Sequence, residues 1–456
     1  MRKIFLTMVL SAVCVVAGAT PKYVFMFIGD GMGMGHVMAA DTYHRRVLGN
    51  EGNILMMQFP VASAATTYSY SSPVTDSAAA GTALAAGVKT NNYTVGVNPD
   101  SVAVTSIATE LKAQGYGVGI VTSVAYDDAT PAAFYAHQVD RKMYAEINRD
   151  GARSNFDFIA GAYTLMARKD TAACQAIFDD YRANGYAVAH SLKELSSMKP
   201  AEKVLLTAGS AKAYSNIGYT IDSIPAATHL EDLTEACLHH LERVSPDKFF
   251  MMVEAGNIDH AAHGNDGAGV VKEVLNFQNS IRLAYEFYLK HPEETLIVVT
   301  ADHDTGGMTV GVANGGRPTM ENIDWQRSSK EKFSDYCVSH NGLSWNEMKQ
   351  VLSDKLGFWN RIQLTEKEEA GLKNTFEAMA TDKGQSQKTL YKEFDGFAAV
   401  VFDLLNRKNG IGFTTINHTG NMVPVYAVGE GCEAFSDLNN NIEIPQKIRE
   451  LMESDR

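Results

Sequence analysis

The sequence predicts an α/β fold with a doubly wound, largely parallel central sheet and helices on both faces. Short apolar runs bounded by Gly, Asp or Thr are typical of the buried strands of such a sheet. Longer stretches with helical character alternate with them. The predicted strands cover residues 23–28, 118–122, 203–207, 249–253, 296–300 and 423–428, and the predicted helices cover residues 102–114, 230–243 and 272–290.

The segment from about residue 317 to residue 410 has a different character, and we predict that it is a mainly helical insertion. Ser344 with Glu347, and Thr365 with Glu368, have the spacing of capping boxes that begin helices. Residues 390–406 carry apolar side chains at helical spacing. The segment contains no dense cluster of candidate ligands, so we expect a packing role. Residues 20–316 and 411–456 would then form the main domain.

Residues 1–19 have the pattern of a signal peptide. Arg2 and Lys3 precede an apolar run too short to span a bilayer, and Ala17 and Ala19 give the small-x-small form of a cleavage site. We therefore expect cleavage near Ala19, a periplasmic or secreted protein, and no membrane span after removal of the signal.

The chain is acidic, with a formal net charge of -13 over 456 residues. Loss of Arg2 and Lys3 with the signal would change this to -15. Nothing resembles a basic stripe, which argues against nucleic acid as a partner. Any anionic substrate must therefore be attracted by local charges. Four cysteines would remain, which allows either two disulfides of unknown pairing or buried free thiols: Cys174, Cys237, Cys337 and Cys432.

Acidic and imidazole side chains follow three of the predicted strands. Ligands bind beyond the carboxyl ends of strands in open α/β sheets, so we expect these side chains to share one edge. They are Asp30 after the first strand, Glu254, Asp259, His260 and His263 after the fourth, and Asp302 and His303 after the fifth.

Asp259 and His263 are four residues apart, so on a helix they can chelate one cation. An Asp and His shell suits zinc. His260 lies three residues before His263, and spacing alone leaves open which imidazole binds. The alternative, Asp259 as a favourable first-turn acid, leaves Glu254 and the two histidines unexplained.

Ser77 lies at the predicted beginning of a helix, directly after Asp76. Asp and Ser are common helix caps, which is the simplest explanation. A functional interpretation places the Ser77 hydroxyl where the helix dipole favours negative charge. A neighbouring metal would then lower its pKa and make it a nucleophile.

Six motifs occur in the order found in alkaline phosphatases, and the sequence resembles that family over about residues 23–311 and again from about residue 410. The motifs are Asp30-Gly-Met-Gly, Asp76-Ser77-Ala-Ala, Asp128-Ala-Thr130-Pro followed by Arg141, Glu254 with Asp259 and His263, Thr300-Ala-Asp302-His303, and His418-Thr-Gly. The predicted insertion lies outside the resemblance. By this resemblance, the main domain is an alkaline-phosphatase-like catalytic domain.

The resemblance implies two Zn²⁺ ions and one Mg²⁺ ion. It assigns Asp259, His263 and His418 to one zinc, Asp30, Asp302 and His303 to the other, and Asp30, Thr130 and Glu254 to magnesium. An all-oxygen set is what magnesium prefers. Asp128 and His260 would lie close by and influence the metal preference of the third site and the pH optimum.

The resemblance also implies the reaction. Small-molecule phosphate monoesters would be hydrolysed through a phosphoserine at Ser77, with Arg141 gripping the phosphate. A phosphodiesterase of the same superfamily is the nearest alternative, and Thr130, Glu254 and Arg141 argue against it. A non-catalytic metal or phosphate binder is the other. Such relatives are commonly homodimers, and the insertion leaves that assembly open here.

Overall fold

The computed structural model describes residues 20–213, 215–223, 227–312, 319–381 and 386–453. The predicted signal peptide at 1–19, with Cys14, lies outside these ranges, as does the predicted first residue of the insertion, 317. Within them, no helix combines the length and apolar character needed to cross a membrane.

The described residues form fifteen strands and fifteen α-helices. The strands are β1 Tyr23–Ile28, β2 Val61–Ala65, β3 Gly117–Ala125, β4 Phe158–Ala162, β5 Tyr186–Ala189, β6 Lys203–Thr207, β7 Phe249–Glu254, β8 Thr295–Thr300, β9 Asp304–Thr305, β10 Thr309–Val310, β11 Ser386–Lys388, β12 Glu393–Asp395, β13 Ile411–Gly412, β14 His418–Thr419 and β15 Val423–Gly429. The helices are α1 Met34–Arg46, α2 Ser77–Ala86, α3 Ile107–Ala113, α4 Ala129–Ala132, α5 Tyr144–Arg153, α6 Cys174–Ala183, α7 Leu192–Ser197, α8 Leu230–Val244, α9 Asn257–His263, α10 Gly267–Tyr288, α11 Lys330–Ser339, α12 Trp345–Leu356, α13 Glu366–Thr381, α14 Gly396–Asn409 and α15 Glu443–Glu453.

Nine strands form the central sheet, in the order β2-β15-β8-β1-β7-β3-β4-β6-β5. Neighbouring strands are parallel except at β15, which is antiparallel to both β8 and β2. The strands at the centre of the sheet are completely buried, as their continuous apolar sequences predict. The predicted α/β fold with a largely parallel sheet is confirmed.

The structure departs from the predicted elements mainly where local signals are weak. All six predicted strands are present in the central sheet, but its other strands, β2, β4 and β5, were not predicted, since they are short or rich in alanine. The helix predicted over 102–114 begins only at Ile107, because the Ser106 side chain caps it by accepting a hydrogen bond from the Thr109 amide.

The segment that we assigned to the insertion contains helices α11 to α14 and a two-stranded hairpin, β11 with β12. Both predicted capping boxes are formed, because the carboxylates of Glu347 and Glu368 accept hydrogen bonds from the Ser344 and Thr365 amides. The helix predicted from the apolar spacing of residues 390–406 is wrong before residue 396. Helix α14 begins at Gly396, and the preceding residues belong to the hairpin. This segment packs around a small apolar core of its own: Phe333, Cys337, Met348, Leu352, Leu356, Phe358, Ile362, Leu372, Phe397, Ala398, Val401, Phe402, Leu404 and Leu405.

The four cysteines that follow the signal peptide are all free thiols. Cys174, Cys237 and Cys337 are buried, and Cys432 is half-buried. Of the two alternatives left open by the sequence, the structure has the free thiols.

The register of the central strands determines where the polar residues lie. Strand β1 lies between β7 and β8, and Ile28 at its end is paired with Glu254 on one side and Thr300 on the other. Three chain segments therefore leave the sheet at the same level and on the same edge, as expected for parallel strands.

Candidate metal centre and active site

Carboxylates meet at this edge of the sheet. Asp30 follows β1, Glu254 ends β7 and Asp302 follows β8, and all three side chains are buried. The Gly31 amide donates a hydrogen bond to Asp302 Oδ1 at 3.0 Å, which ties two of the strand ends together. The aligned strand ends thus deliver three acids to one place, as the sequence predicted.

Gly31 allows helix α9 to approach these strand ends. Its φ is +69°, and a Cβ atom there would lie 2.7 Å from Asp259 Oδ1 and 2.8 Å from Thr305 Oγ1. Any other residue would be strained by its backbone conformation and would also displace the Asp259 carboxylate. The glycine therefore places a fourth acid beside the other three.

Two imidazoles are held with their Nε2 atoms facing inward. His263 Nδ1 lies 2.6 Å from the Ile416 carbonyl oxygen, and His418 Nδ1 lies 2.9 Å from the Thr75 carbonyl oxygen. A carbonyl only accepts, so each Nδ1 must carry the proton and each neutral ring has its lone pair at Nε2. Carbonyl partners of this kind orient histidines that bind metals.

The two Nε2 atoms lie only 3.1 Å apart. With both lone pairs directed at each other they would repel, so this arrangement needs a cation or a proton close to them. His263 Nε2 is also 3.4 Å from Asp259 Oδ2, and His418 Nε2 is 3.8 Å from Asp259 Oδ1. One carboxylate and two imidazoles form a mixed donor set of the type that zinc takes.

His303 is oriented in the same way by a hydroxyl. Thr305 Oγ1 donates its proton to Asp259 Oδ1, so it accepts from His303 Nδ1, which is 3.2 Å away. The lone pair of His303 Nε2 then faces Asp302 Oδ2 at 3.2 Å and Asp30 Oδ1 at 3.4 Å. This is a second set of two carboxylates and one imidazole.

Three side chains in each of two groups have their possible metal-ligating atoms within 4.8 Å of one another. The first contains Asp259, His303 and His418, and the second contains Asp30, Asp302 and His303. His303 stacks on His418 with ring centroids 3.6 Å apart, so the two groups adjoin. The second group is the set that the resemblance implies for one zinc, whereas the first has His303 where the resemblance implies His263. The two groups lie side by side, with His303 close to both.

In a third cluster, the possible metal-ligating atoms are all oxygens. Glu254 Oε2 accepts a hydrogen bond from Thr122, while Glu254 Oε1, Thr130 Oγ1 and Asp30 Oδ1 are buried and make no hydrogen bond within the described residues. Asp259 Oδ2 and Asp302 Oδ2 are likewise buried and make no hydrogen bond within the described residues. Buried oxygens without partners are costly, so five at one site indicate that a cation satisfies them.

The electrostatics of the site agree with this interpretation. Burial raises the pKa of Glu254 to about 8 and that of Asp302 to about 7. Burial and the neighbouring Asp302 carboxylate raise the pKa of Asp30 well above its usual value. Burial also acts against ionisation of Asp259, but the surrounding imidazoles outweigh it and lower its pKa. Crowded acids of this kind ionise together only when positive charge is supplied.

Ser77 faces this cluster from the first residue of α2. Its Oγ lies 3.1 Å from His303 Nε2, and the residue is buried. Asp76 caps the helix by accepting a hydrogen bond from the Ala79 amide at 3.0 Å. The Ser77 hydroxyl therefore lies between the imidazole cluster and the positive end of a helix dipole.

Arg141 is held beside Ser77 by two carboxylates. Its Nη1 donates to Asp76 Oδ2 at 3.2 Å, and its Nη2 donates to Asp128 Oδ1 at 2.9 Å. Burial lowers the pKa of Arg141, but Tyr391, Asp128 and Asp76 outweigh it and raise that pKa. The guanidinium is therefore a fixed cation whose remaining N–H groups can grip a phosphate.

Several neighbours of the site were not predicted. Asp76 was expected to cap a helix, but it also orients Arg141. Thr305 orients His303 and Asp259, and its proximity to the Asp302-His303 pair is the signal that could have found it. Tyr391 comes from the segment expected only to pack, and its ring lies 4.0 Å from the His260 ring. Nothing in the sequence around Tyr391 indicates that position.

Comparison with known proteins identifies the family. The family model for alkaline phosphatase matches residues 21–169 and 167–454. The match includes residues 317–410, which the motifs alone left outside the resemblance. The chain belongs to the alkaline phosphatase family. The chain is 30% identical to alkaline phosphatase 4 of Bacillus subtilis over 455 residues, which covers 95% of this chain and 89% of that one.

Solved alkaline phosphatases have the same fold. The cold-active enzyme of a psychrophilic Shewanella species matches with a TM-score of 0.80 at 28% identity, over 94% of this chain and 99% of that one. The enzyme of Thermus thermophilus matches with a TM-score of 0.78 at 24% identity, over 96% of this chain and 92% of that one. The protein is therefore a phosphomonoester hydrolase with an alkaline phosphatase fold.

Proposed function

We propose that the protein hydrolyses phosphate monoesters through a phosphoserine at Ser77, at a site with two zinc ions and one magnesium ion. The convergence of imidazole Nε2 atoms and unpaired carboxylate oxygens beside Ser77 Oγ carries the proposal. Zinc would be held by Asp259, His263 and His418 and by Asp30, Asp302 and His303, and magnesium by Asp30, Thr130 and Glu254. Variants of the alkaline phosphatase from the bacterium TAB5 bind Mg in an M3 site, which supports a magnesium ion in this family.

The bound cations would neutralise the phosphate and lower the pKa of the Ser77 hydroxyl. In the first step Ser77 Oγ forms a bond to phosphorus, the ester P–O bond breaks, and the alcohol leaves with a proton. In the second step water attacks phosphorus, Ser77 Oγ leaves and regains its proton, and inorganic phosphate is released. Arg141 would hold two non-bridging oxygens in both steps, because Asp76 and Asp128 fix its orientation.

The test compares a phosphate monoester with a phosphate diester on protein supplied with zinc and magnesium. We expect the monoester to be the far better substrate, and acid quenching during turnover to trap phosphate on Ser77, identified by peptide mass spectrometry. Preferred turnover of the diester would favour a phosphodiesterase. A metal-loaded protein without turnover of any monoester would favour a non-catalytic binder.

The same proposal includes export and domain organisation. We infer that residues 1–19 are removed as a signal peptide, that 20–316 and 411–456 form the catalytic domain, and that 317–410 is an insertion. The substrates would be small-molecule phosphate monoesters in the periplasm or outside the cell. The mass of the protein from the exported fraction tests this, since cleavage near Ala19 predicts a chain beginning at Thr20.

A further inference from the structure

A cavity of about 290 Å³ adjoins the phosphate-gripping Arg141 and is closed on its far side by the predicted insertion. Asp128, Arg141 and His260 line this cavity. Tyr391 and Phe394 from the predicted insertion also line it, and the Tyr391 ring lies against the His260 ring. If the phosphate of a monoester binds at Arg141, its alcohol part would lie within reach of this cavity.

The insertion wall is fixed in place. The turn between β11 and β12 is closed by hydrogen bonds between Thr389 and Lys392, including Thr389 N to the Lys392 carbonyl at 2.9 Å. Lys330 Nζ donates to the carbonyl of Gly264, the residue after His263, at 2.7 Å and lies 5.0 Å from the Phe394 ring centroid. Lys330, the first residue of α11, thus joins the hairpin to the end of α9, so Tyr391 is held over the site.

Five tyrosine and phenylalanine side chains line the cavity. Tyr391 contacts the imidazoles of His260 and His263, with centroid separations of 4.0 and 5.2 Å. Tyr144 and Tyr219 are buried and present parts of their rings to the same cavity. Tyr93 is half exposed but is held in the left-handed region with φ of 72°, while its carbonyl accepts a hydrogen bond from the Arg141 amide. Strained backbone at such a place is typical of a functional role.

Two cations at the rim lack an opposite charge. Lys142 and Arg168 line the cavity and are exposed, and no ion pair of either occurs in the described part of the chain. The other Lys and Arg side chains of the cavity are already paired, Lys392 with Glu331 and Asp335 and Arg141 with Asp76 and Asp128. Two unpaired cations beside the phosphate site supply local positive charge that a second anionic group on the ligand can use.

We propose that this cavity is a subsite for the alcohol part of the substrate, and that it selects phosphate monoesters of a ring-bearing alcohol with a second anionic group. The ring would stack on Tyr391, and the anionic group would lie between Lys142 and Arg168. The proposal rests on the proposed monoesterase function and specifies its substrate class.

The ring contribution is tested with phenyl phosphate and ethyl phosphate. For Tyr391→Ala, kcat/KM for phenyl phosphate should fall about tenfold more than kcat/KM for ethyl phosphate, whereas Tyr391→Phe should retain the wild-type ratio. Tyr336→Ala is the matched control, since Tyr336 belongs to the same insertion but stacks on His340, away from the cavity. Equal losses on both substrates in Tyr391→Ala would contradict the subsite.

The charge contribution is tested with 4-carboxyphenyl phosphate against phenyl phosphate. Arg168→Gln should lower kcat/KM for the carboxylated substrate about fivefold more than for phenyl phosphate, and added salt should reduce the difference. An unchanged ratio in Arg168→Gln would overturn the assignment of the second anionic group. If the wild-type protein hydrolyses none of the three substrates, the monoesterase function itself fails, which is a distinct result.

Discussion

The acidic side chains at the edge of the sheet and those in the segment of helices α11 to α14 have opposite surroundings. In that segment, Glu347 and Glu368 accept hydrogen bonds from helix termini, and Glu369 accepts from Lys349 and Trp359. At the sheet edge, Asp30 and Asp302 are buried with an oxygen that no described hydrogen bond satisfies. An unpaired buried group costs about 1–3 kcal/mol. Several such groups at one place indicate a ligand that satisfies them, whereas the acids of helices α11 to α14 are satisfied within the protein.

We assign the bond-making step to Ser77 at the sheet edge. Of the variants proposed here, Ser77→Ala should have the largest effect on monoesterase activity. Without the hydroxyl, we expect monoesterase kcat to fall by about 10⁴-fold or more and no phosphate to be trapped on the protein. Metal content should stay at the wild-type level, since Ser77 is not among the proposed ligands. Ser196→Ala, an exposed serine on α7, is the control. Retained turnover in Ser77→Ala would refute the assigned nucleophile.

Arg141→Ala tests the cation at the sheet edge. We expect kcat/KM to fall by about 10²–10³-fold, because a fixed charged donor to the phosphate is lost. Arg141→Lys should recover only part of the activity, since Lys cannot donate in the same planar fork. Steady-state kinetics on a single monoester measures both. Full activity in Arg141→Lys would show that charge alone matters and that the geometry set by Asp76 and Asp128 does not.

Glu254→Gln tests the oxygen-only cluster at the sheet edge, because it removes one negative charge from that cluster. We expect the bound magnesium to be lost, both zinc ions to remain, and activity to fall by about 10–100-fold. Glu273→Gln is the matched control, since Glu273 is also buried but its carboxylate accepts from the Thr220 amide. Loss of zinc from Glu254→Gln would show that the three sites are not separable as proposed.

The smallest effect is expected at Lys330, which joins α11 to the residue after α9, and it concerns the free energy of unfolding. Burial lowers the pKa of Lys330 to about 8, against the opposing influence of Asp266. Above that pH the folded protein releases a proton that the unfolded chain keeps, so the penalty of a buried charge is relieved as pH rises. The free energy of unfolding of the wild type, relative to Lys330→Met, should rise by about 1 kcal/mol between pH 8 and pH 9.

Denaturant unfolding at several pH values measures this difference. A difference that stays constant across this range would mean that Lys330 is not charged and buried at lower pH. A difference that falls would contradict the direction of the pKa shift.

The sequence predicted much of this molecule because its signals are local. The apolar runs of β1, β7 and β8 located the strands, and the acids directly after them located the sheet edge. The capping boxes at Ser344 and Thr365 are equally local, and both are formed. Arg141 and Thr130 have no such signal, and the resemblance to alkaline phosphatases alone pointed to them.

What the sequence did not predict depends on contacts between distant segments. Tyr391 reaches His260 only because a hairpin interrupts the helical pattern of residues 390–406 and because Lys330 joins that hairpin to Gly264. The second contact of Asp76, with Arg141, spans 65 residues. Neither the period of a helix nor the spacing of a motif carries information of this kind.

We infer that the unpaired oxygens and inward-facing imidazoles hold metal ions needed for hydrolysis. Elemental analysis of the purified protein, before and after chelation, tests this when monoesterase activity is measured on the same samples. We expect two zinc ions and one magnesium ion per chain, loss of activity with loss of zinc, and recovery when zinc is returned. Full activity in a protein stripped of zinc would show that zinc is not needed for hydrolysis.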